Sequence, residues 1–132
     1  MQKTICELFA GVGGFRLGFD RLESGWETTW FSQWEPGART QWAHACYVQH
    51  FGDSSDLNNE FHTGEDISTM NKQAIPNHTL LVGGFPCQDY SVAHTLSSSH
   101  GIEGKKGVLW WQIRDTIIAN KPPFCFFENV DR

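Results

Sequence analysis

The chain has 132 residues, is 39% hydrophobic and carries a formal net charge of −5, which suits one domain with a packed core. No apolar run approaches the roughly 18 residues that span a bilayer, and Met1-Gln2-Lys3-Thr4-Ile5 lacks the shape of a signal peptide, so a cytoplasmic protein without membrane contact is expected. The acidic balance argues against a chain that grips a polyanion unaided, and Cys6, Cys46, Cys87 and Cys125 are too widely spaced to suggest zinc or any other metal site.

Thr4 to Phe9 reads as a first strand that runs into Ala10-Gly11-Val12-Gly13-Gly14. Phe15, Phe19 and Leu22 then recur at i, i+4 and i+7 and predict an amphipathic helix ended near Gly25. Strand, glycine turn and helix open a mononucleotide-binding unit. A dinucleotide fingerprint counted from Gly11 would need glycine at position 16, which is Arg16, and this counts against an NAD enzyme. The bland alternative for the turn is a tight bend without a ligand.

Trp26 to Trp34 is rich in Trp, Thr and Phe and predicts a second strand ending at Glu35. An acid some 20 positions past a glycine turn, at a strand end, is placed to accept hydrogen bonds from ribose hydroxyls. It could equally be a helix-opening charge, with Pro36 starting the next helix. That helix is expected over Ala38 to Phe51, with Trp42, Ala45, Cys46 and Val48 to Phe51 as its buried stripe and His44 and His50 on its surface. Ser54 to Gly64 reads as loop, and Gly64 to Ile67 as the end of a short third strand with Asp66 at the crevice.

Leu80-Leu81-Val82 is a short apolar run of the kind that makes a buried strand. It breaks on Gly83-Gly84, crosses Phe85-Pro86 and presents Cys87. Val92 to Gly107, with three serines, Gly101, Gly104 and Lys105-Lys106, reads as a long loop, either a lid against an anion or a solvated segment. Val108 to Ala119 predicts a helix with Val108, Leu109, Trp111, Ile113, Ile117 and Ile118 in one apolar band. Phe124 to Phe127 reads as another buried strand, leading to Glu128-Asn129-Val130. Cys6 and Cys125, inside apolar runs, are expected in the core.

Strand and helix alternate, so the expected class is α/β with a mostly parallel sheet and helices on both faces. Right-handed crossovers then gather every strand's carboxyl end on one edge. That edge collects the glycine turn, Glu35, Asp66, Pro86-Cys87 and Glu128-Asn129, a constellation that suits an active site.

Taken in order, these motifs resemble the N-terminal part of the cytosine-5 DNA methyltransferases over essentially all 132 residues. ELFAGVGGFRLGF resembles the family's first S-adenosylmethionine motif, GGFPCQDYS its nucleophile motif, GVLWWQI its following helix and ENV its cytosine-contacting motif. The resemblance implies a Rossmann-like fold that binds S-adenosylmethionine through Phe9, Ala10, Gly11, Gly13, Gly14, Glu35, Asp66, Ile67, Pro86 and Leu109. It implies Cys87 as the nucleophile on cytosine carbon 6, and Glu128 as the acid on ring nitrogen 3. Pro86, Gln88, Ser91, Glu128, Asn129 and Val130 would contact the DNA substrate, with its cytosine flipped out of the helix. The family's Gln-x-Arg-x-Arg stretch, target-recognition region and closing segment have no counterpart in these residues. The expectation is therefore one catalytic-domain part over residues 1–132, from a split or truncated restriction-modification enzyme, inactive without a partner chain. Two other readings share these motifs: a transfer RNA cytosine methyltransferase, and a non-catalytic S-adenosylmethionine-binding fragment.

Overall fold

A computed structural model of the chain describes residues 1–51, 62–84 and 108–129. Strand β1 (Thr4–Leu8) leads into helix α1 (Gly14–Arg21), and β2 (Glu27–Ser32) into α2 (Trp42–Phe51). The two-residue strand β3 (His62–Thr63) is followed by single 3₁₀ turns at Ile67–Thr69 and Lys72–Ala74. Strand β4 (Leu80–Gly84), helix α3 (Val108–Asn120) and strand β5 (Phe124–Glu128) complete the order. The strands form one sheet in the order β3-β2-β1-β4-β5, and every pairing is parallel.

The side-chain alternation of β1 divides the core. Ile5 packs with Leu80 and Val82 under Phe15 and Phe19 of α1. Cys6 and Leu8 point the other way, into a cluster with Trp30, Ile67, Ile75, Leu81 and Ile113 that α3 covers with Trp110 and Ile117. Helices α1 and α2 thus lie on one face and α3 on the other, the doubly wound arrangement that follows from parallel strands with right-handed crossovers. The order reverses between β1 and β4, and in such sheets ligands bind beyond the strand ends at that point.

Several expectations need correction. Strand β2 ends at Ser32, short of Trp34, and the helix that follows begins at Trp42 instead of Ala38. The Pro36-Gly37 pair makes a turn, with Gly37 at φ 77 and Ala38 N–H donating to the Glu35 carbonyl. Pro at the second and Gly at the third turn position favour that geometry over helix initiation. The buried face of α2 is carried by Tyr47, with Val48 and Phe51; Trp42 is 74% exposed, and Ala45 and Cys46 are exposed too. His50 is exposed as expected, whereas His44 is half-buried and its ring lies 5.5 Å from that of Phe31. The third strand falls at His62–Thr63, ahead of the expected position. In α3 the buried side is Ile113 and Thr116, flanked by Trp110 and Ile117; Trp111 and Ile118 face solvent.

The largest departure is β5. Its burial is that of an exposed strand, with Phe124 52% and Phe126 54% exposed. Cys125 is exposed as well, while Cys6 is fully buried. The strand lies at the sheet margin, with β4 as its sheet neighbour. An open apolar groove of about 480 Å³ runs beside it, lined by Gly14, Phe15, Gly18, Phe19, Leu22 and Phe126.

Candidate active site

The carboxyl end of β1 is built for close approach. Phe9 stands at φ 52, a left-handed conformation that costs a non-glycine residue on the order of 1–2 kcal/mol. Its half-buried side chain packs on the α3-side cluster, which helps to hold the backbone there. Ala10 N–H donates to the Ser32 carbonyl and Gly13 N–H to the Ala10 carbonyl, so the turn is tied to β2 and to itself. Gly11 and Gly13 both have positive φ. On one side the turn is closed: a Cβ at Gly13 would fall 2.3 Å from the Phe51 ring and 3.0 Å from that of Tyr47. On the other side it is open, since a Cβ at Gly11 or Gly14 meets nothing within 4 Å. A turn packed tightly underneath and open above fits a ligand laid against backbone at the sheet edge.

Beyond β2 the chain continues with Gln33, whose N–H donates to the Thr63 carbonyl at the end of β3. The Gln33 side chain reaches back, and its Oε1 accepts the Gly11 N–H at 2.8 Å. Glu35 lies in the following turn and is exposed. Gln41 clasps its backbone, accepting from Glu35 N–H at 2.7 Å and donating to its carbonyl at 2.9 Å. Asp66 caps the first 3₁₀ turn, accepting the Ser68 N–H at 2.9 Å. Ile67, next to it, is buried in the α3-side core, so its side chain serves packing and only its backbone can face a ligand.

Strands β4 and β5 bring the second half of the crevice together. In their register Gly84 pairs with Glu128, and a Cβ on Gly84 would stand 3.1 Å from Glu128 Oε2. Glycine at 84 therefore makes room for that carboxylate. Gly83 has a different reason: a Cβ there would stand 2.9 Å from the Leu8 carbonyl oxygen, so β1 and β4 can close only over a bare backbone. Leu109 is half-buried in the first turn of α3, and Asn129 follows β5 in an exposed position. Pro86, Cys87, Gln88, Ser91 and Val130 lie outside the described residues, as do the Val92–Gly107 segment and most of Ser54–Gly64.

A buried polar cluster under the glycine turn was not anticipated. Glu7, in the middle of β1, is 1% exposed. Its Oε2 accepts the Tyr47 hydroxyl at 2.8 Å, while Oε1 closes no hydrogen bond among the described residues. Burial lifts its carboxyl from the ordinary 4.5 to about 7, against the opposing pull of Tyr47, the Arg16 guanidinium and the first-turn amides of α1. The same burial, with the nearby Glu7 charge, pushes the Tyr47 phenol far above its usual range. Arg16 lies over the rings of Tyr47 and Phe51, at 5.7 and 4.8 Å from their centroids. An acid inside an apolar strand and an arginine at a glycine position were the signals available in the sequence. Among the described residues no group of His, Cys, Asp and Glu could hold a metal ion, and no helix is long and apolar enough to cross a membrane.

A parallel doubly wound sheet with a glycine turn after β1 and a carboxylate at the end of β5 is a Rossmann-like fold. Among solved structures, the Dnmt2 methyltransferase of S. pombe superposes with a TM-score of 0.67 over 97% of this chain and 36% of its own, at 17% identity. A family model described as C-5 cytosine-specific DNA methylase matches residues 3–132, and the chain belongs to that family. It is 46% identical over 131 residues to the type II methyltransferase M.Sau3AI of Staphylococcus aureus, covering 97% of this chain and 30% of that protein. Against the type II methyltransferase M.HhaI of Haemophilus parahaemolyticus it is 32% identical, covering 94% of this chain and 32% of the relative. The chain thus spans about a third of the length of these relatives.

Proposed function

We propose that this chain is the cofactor-binding and nucleophile-bearing part of a DNA (cytosine-5-)-methyltransferase of a restriction-modification system, using S-adenosylmethionine. The observation that carries the reading is the fit of the Glu128 carboxylate over Gly84, at the ends of adjacent strands. The segment containing Cys87 follows directly from Gly84, and the glycine turn opens on the same sheet edge. S-adenosylmethionine, when bound, supplies an electrophilic methyl group. The open side of Gly11 and Gly14 would receive it, with Phe9, Ala10, Asp66, the Ile67 backbone, Pro86 and Leu109 around it.

In this reading the Cys87 thiolate adds to carbon 6 of a flipped cytosine, because the thiolate and not the thiol is the nucleophile. The new bond makes carbon 5 electron-rich enough to take a methyl group. Glu128 hydrogen-bonds ring nitrogen 3 and offsets the charge that builds there. Loss of the carbon-5 proton then returns the electron pair that expels Cys87. Pro86, Gln88, Ser91, Asn129 and Val130 frame the base and its backbone. DNA would be gripped largely by the region the relatives carry beyond this third, on the same or a partner polypeptide, since a net charge of −5 opposes a polyanion.

The test is methyl transfer from tritiated cofactor to duplex DNA and to RNA, by the chain alone and with a polypeptide carrying the remaining segments. Transfer to DNA by the pair is expected, with covalent trapping on 5-fluorocytosine DNA that Cys87→Ser abolishes. Glu128→Gln should slow transfer and leave cofactor affinity intact. Near-normal methylation by the serine variant, or transfer to RNA alone, overturns the proposal.

A further inference from the structure

We infer that Glu7 and Tyr47, buried under the glycine turn, are positioning residues that make cofactor affinity depend on the ionisation of Glu7, with tighter binding to the ionised form. The inference rests on the S-adenosylmethionine reading and adds a regulation to that site. Three elements meet at the pair. Glu7 belongs to β1, Tyr47 to α2, and the Phe15 and Arg16 amides that favour the charged carboxylate belong to the first turn of α1. The Tyr47 hydroxyl donates to Oε2 at 2.8 Å, and Oε1 closes no hydrogen bond among the described residues. The Tyr47 ring stacks on Phe31 with centroids 3.7 Å apart. It also forms part of the floor beneath Gly13, which caps α1 at φ 93. One side chain therefore touches both the acid and the turn.

Ionisation changes what the pair holds. A buried carboxylate has lost its water and must draw on the donors around it. Hydrogen bonds to a charged acceptor are shorter and roughly twice as strong as neutral ones. Here those donors sit on α1 and α2, so a charged Glu7 pulls both helices toward β1 and fixes the turn between them. A protonated Glu7 needs them less and leaves the turn looser. The cofactor would lie on the open side of Gly11 and Gly14, where backbone already held in place spares it the cost of ordering. Burial raises the Glu7 carboxyl to about 7, which puts the change near neutral pH. The other charged and titratable neighbours are few. Arg16, paired with Asp20 at 3.9 Å, favours the charged form from α1. Phe31 and Val82, the register partners of Glu7 on β2 and β4, are neutral. His44 and His50 of α2 pack against Phe31 and Phe51, and Cys6 lies in the cluster on the opposite face.

The experiment is an amide-resolved NMR titration of the full chain with S-adenosylhomocysteine, repeated from well below to well above pH 7. In wild type the Gly11 and Gly13 amides are expected to titrate with Glu7. Affinity should rise roughly fivefold across the range, a typical coupling between two sites. Glu7→Gln, neutral at every pH, should hold the weaker affinity throughout. The ligand and the histidines titrate in both proteins, so the ratio of the two affinity profiles isolates Glu7. Tyr47→Phe keeps the ring under Gly13 and removes the hydroxyl. It should move the midpoint upward by about one pH unit, since a donor to the charged form is lost. A role in packing alone would leave that midpoint in place. Resonance dispersion in each variant checks that it is folded. A ratio of wild type to Glu7→Gln that stays flat with pH overturns the inference, as does an unmoved midpoint in Tyr47→Phe. Absence of binding by wild type at every pH removes the cofactor reading and the inference with it, a result recognisably different from binding that ignores pH.

Discussion

Strands β1 and β5 have similar composition and opposite surroundings. TICEL and FCFFE are both short apolar runs holding one cysteine and one glutamate. In β1 the cysteine and the glutamate are buried to within 1%, because β2 and β4 flank the strand and helices cover both its faces. In β5 the cysteine, two phenylalanines and the glutamate are exposed. Composition thus says that a segment can be buried; position in the sheet decides whether it is. The same contrast sets the chemistry of the two acids. Glu7 carries the burden of desolvation, whereas Glu128 meets solvent at the open end of its strand.

The largest expected effect tests the centre. Leu81 is fully buried beside β1, and Leu81→Ala should lower unfolding free energy by about 2–5 kcal/mol, as large-to-small changes in packed cores do. Urea denaturation measures it; a loss below 1 kcal/mol would mean that the centre is no better packed than the edge.

Next comes the pH dependence of Glu7. Its folded value near 7 lies above the ordinary 4.5, so the folded chain holds a proton that the unfolded chain releases between those limits. Stability from this group is therefore greatest below 4.5, falls as pH rises toward 7, and is lower by on the order of 3 kcal/mol above it. Glu7→Gln should flatten that slope and raise the melting temperature most at pH 8. Parallel melting profiles for variant and wild type would refute the assignment.

The smallest effect belongs to the edge. Phe126 meets Phe15 edge-on at 5.2 Å yet is half exposed. Phe126→Ser should change stability by less than about 1 kcal/mol and reduce self-association in sedimentation velocity, since an open apolar edge invites pairing. A multi-kilocalorie loss would mean that β5 is structurally central despite its exposure.

Much of the frame was legible from the sequence because it rests on local chemistry. The run before Gly11 and the spacing of Phe15 and Phe19 each report a local preference, and those elements formed where it lies, whereas β4 continues through Gly83-Gly84, where a break was expected. What stayed hidden depended on neighbours distant in sequence. Among the described residues, Phe124, Phe126 and Cys125 are exposed on the strand at the margin of the order β3-β2-β1-β4-β5, a placement that no single segment encodes. Tyr47 replaced Trp42 on the buried side of α2 because Glu7, forty positions earlier, offered its hydroxyl a partner. The place of Glu128 at the end of β5 was legible from the apolar run before it, but the reason for Gly84 emerged only from cross-strand register.

The parallel sheet also orders events in time. Thr29 reaches back to Ile5 across 24 residues, while Thr79 must find Thr4 across 75. Loop-closure entropy makes the longer search costlier by about 1 kcal/mol, and non-local pairing slows folding further. The first strand, helix and second strand can therefore assemble early, with one side of β1 still bare. That side carries Leu8, whose carbonyl later meets Gly83. Until β4 arrives, the half that would hold the cofactor exists without the half that would hold the base, and the middle of the finished sheet is for a time its edge.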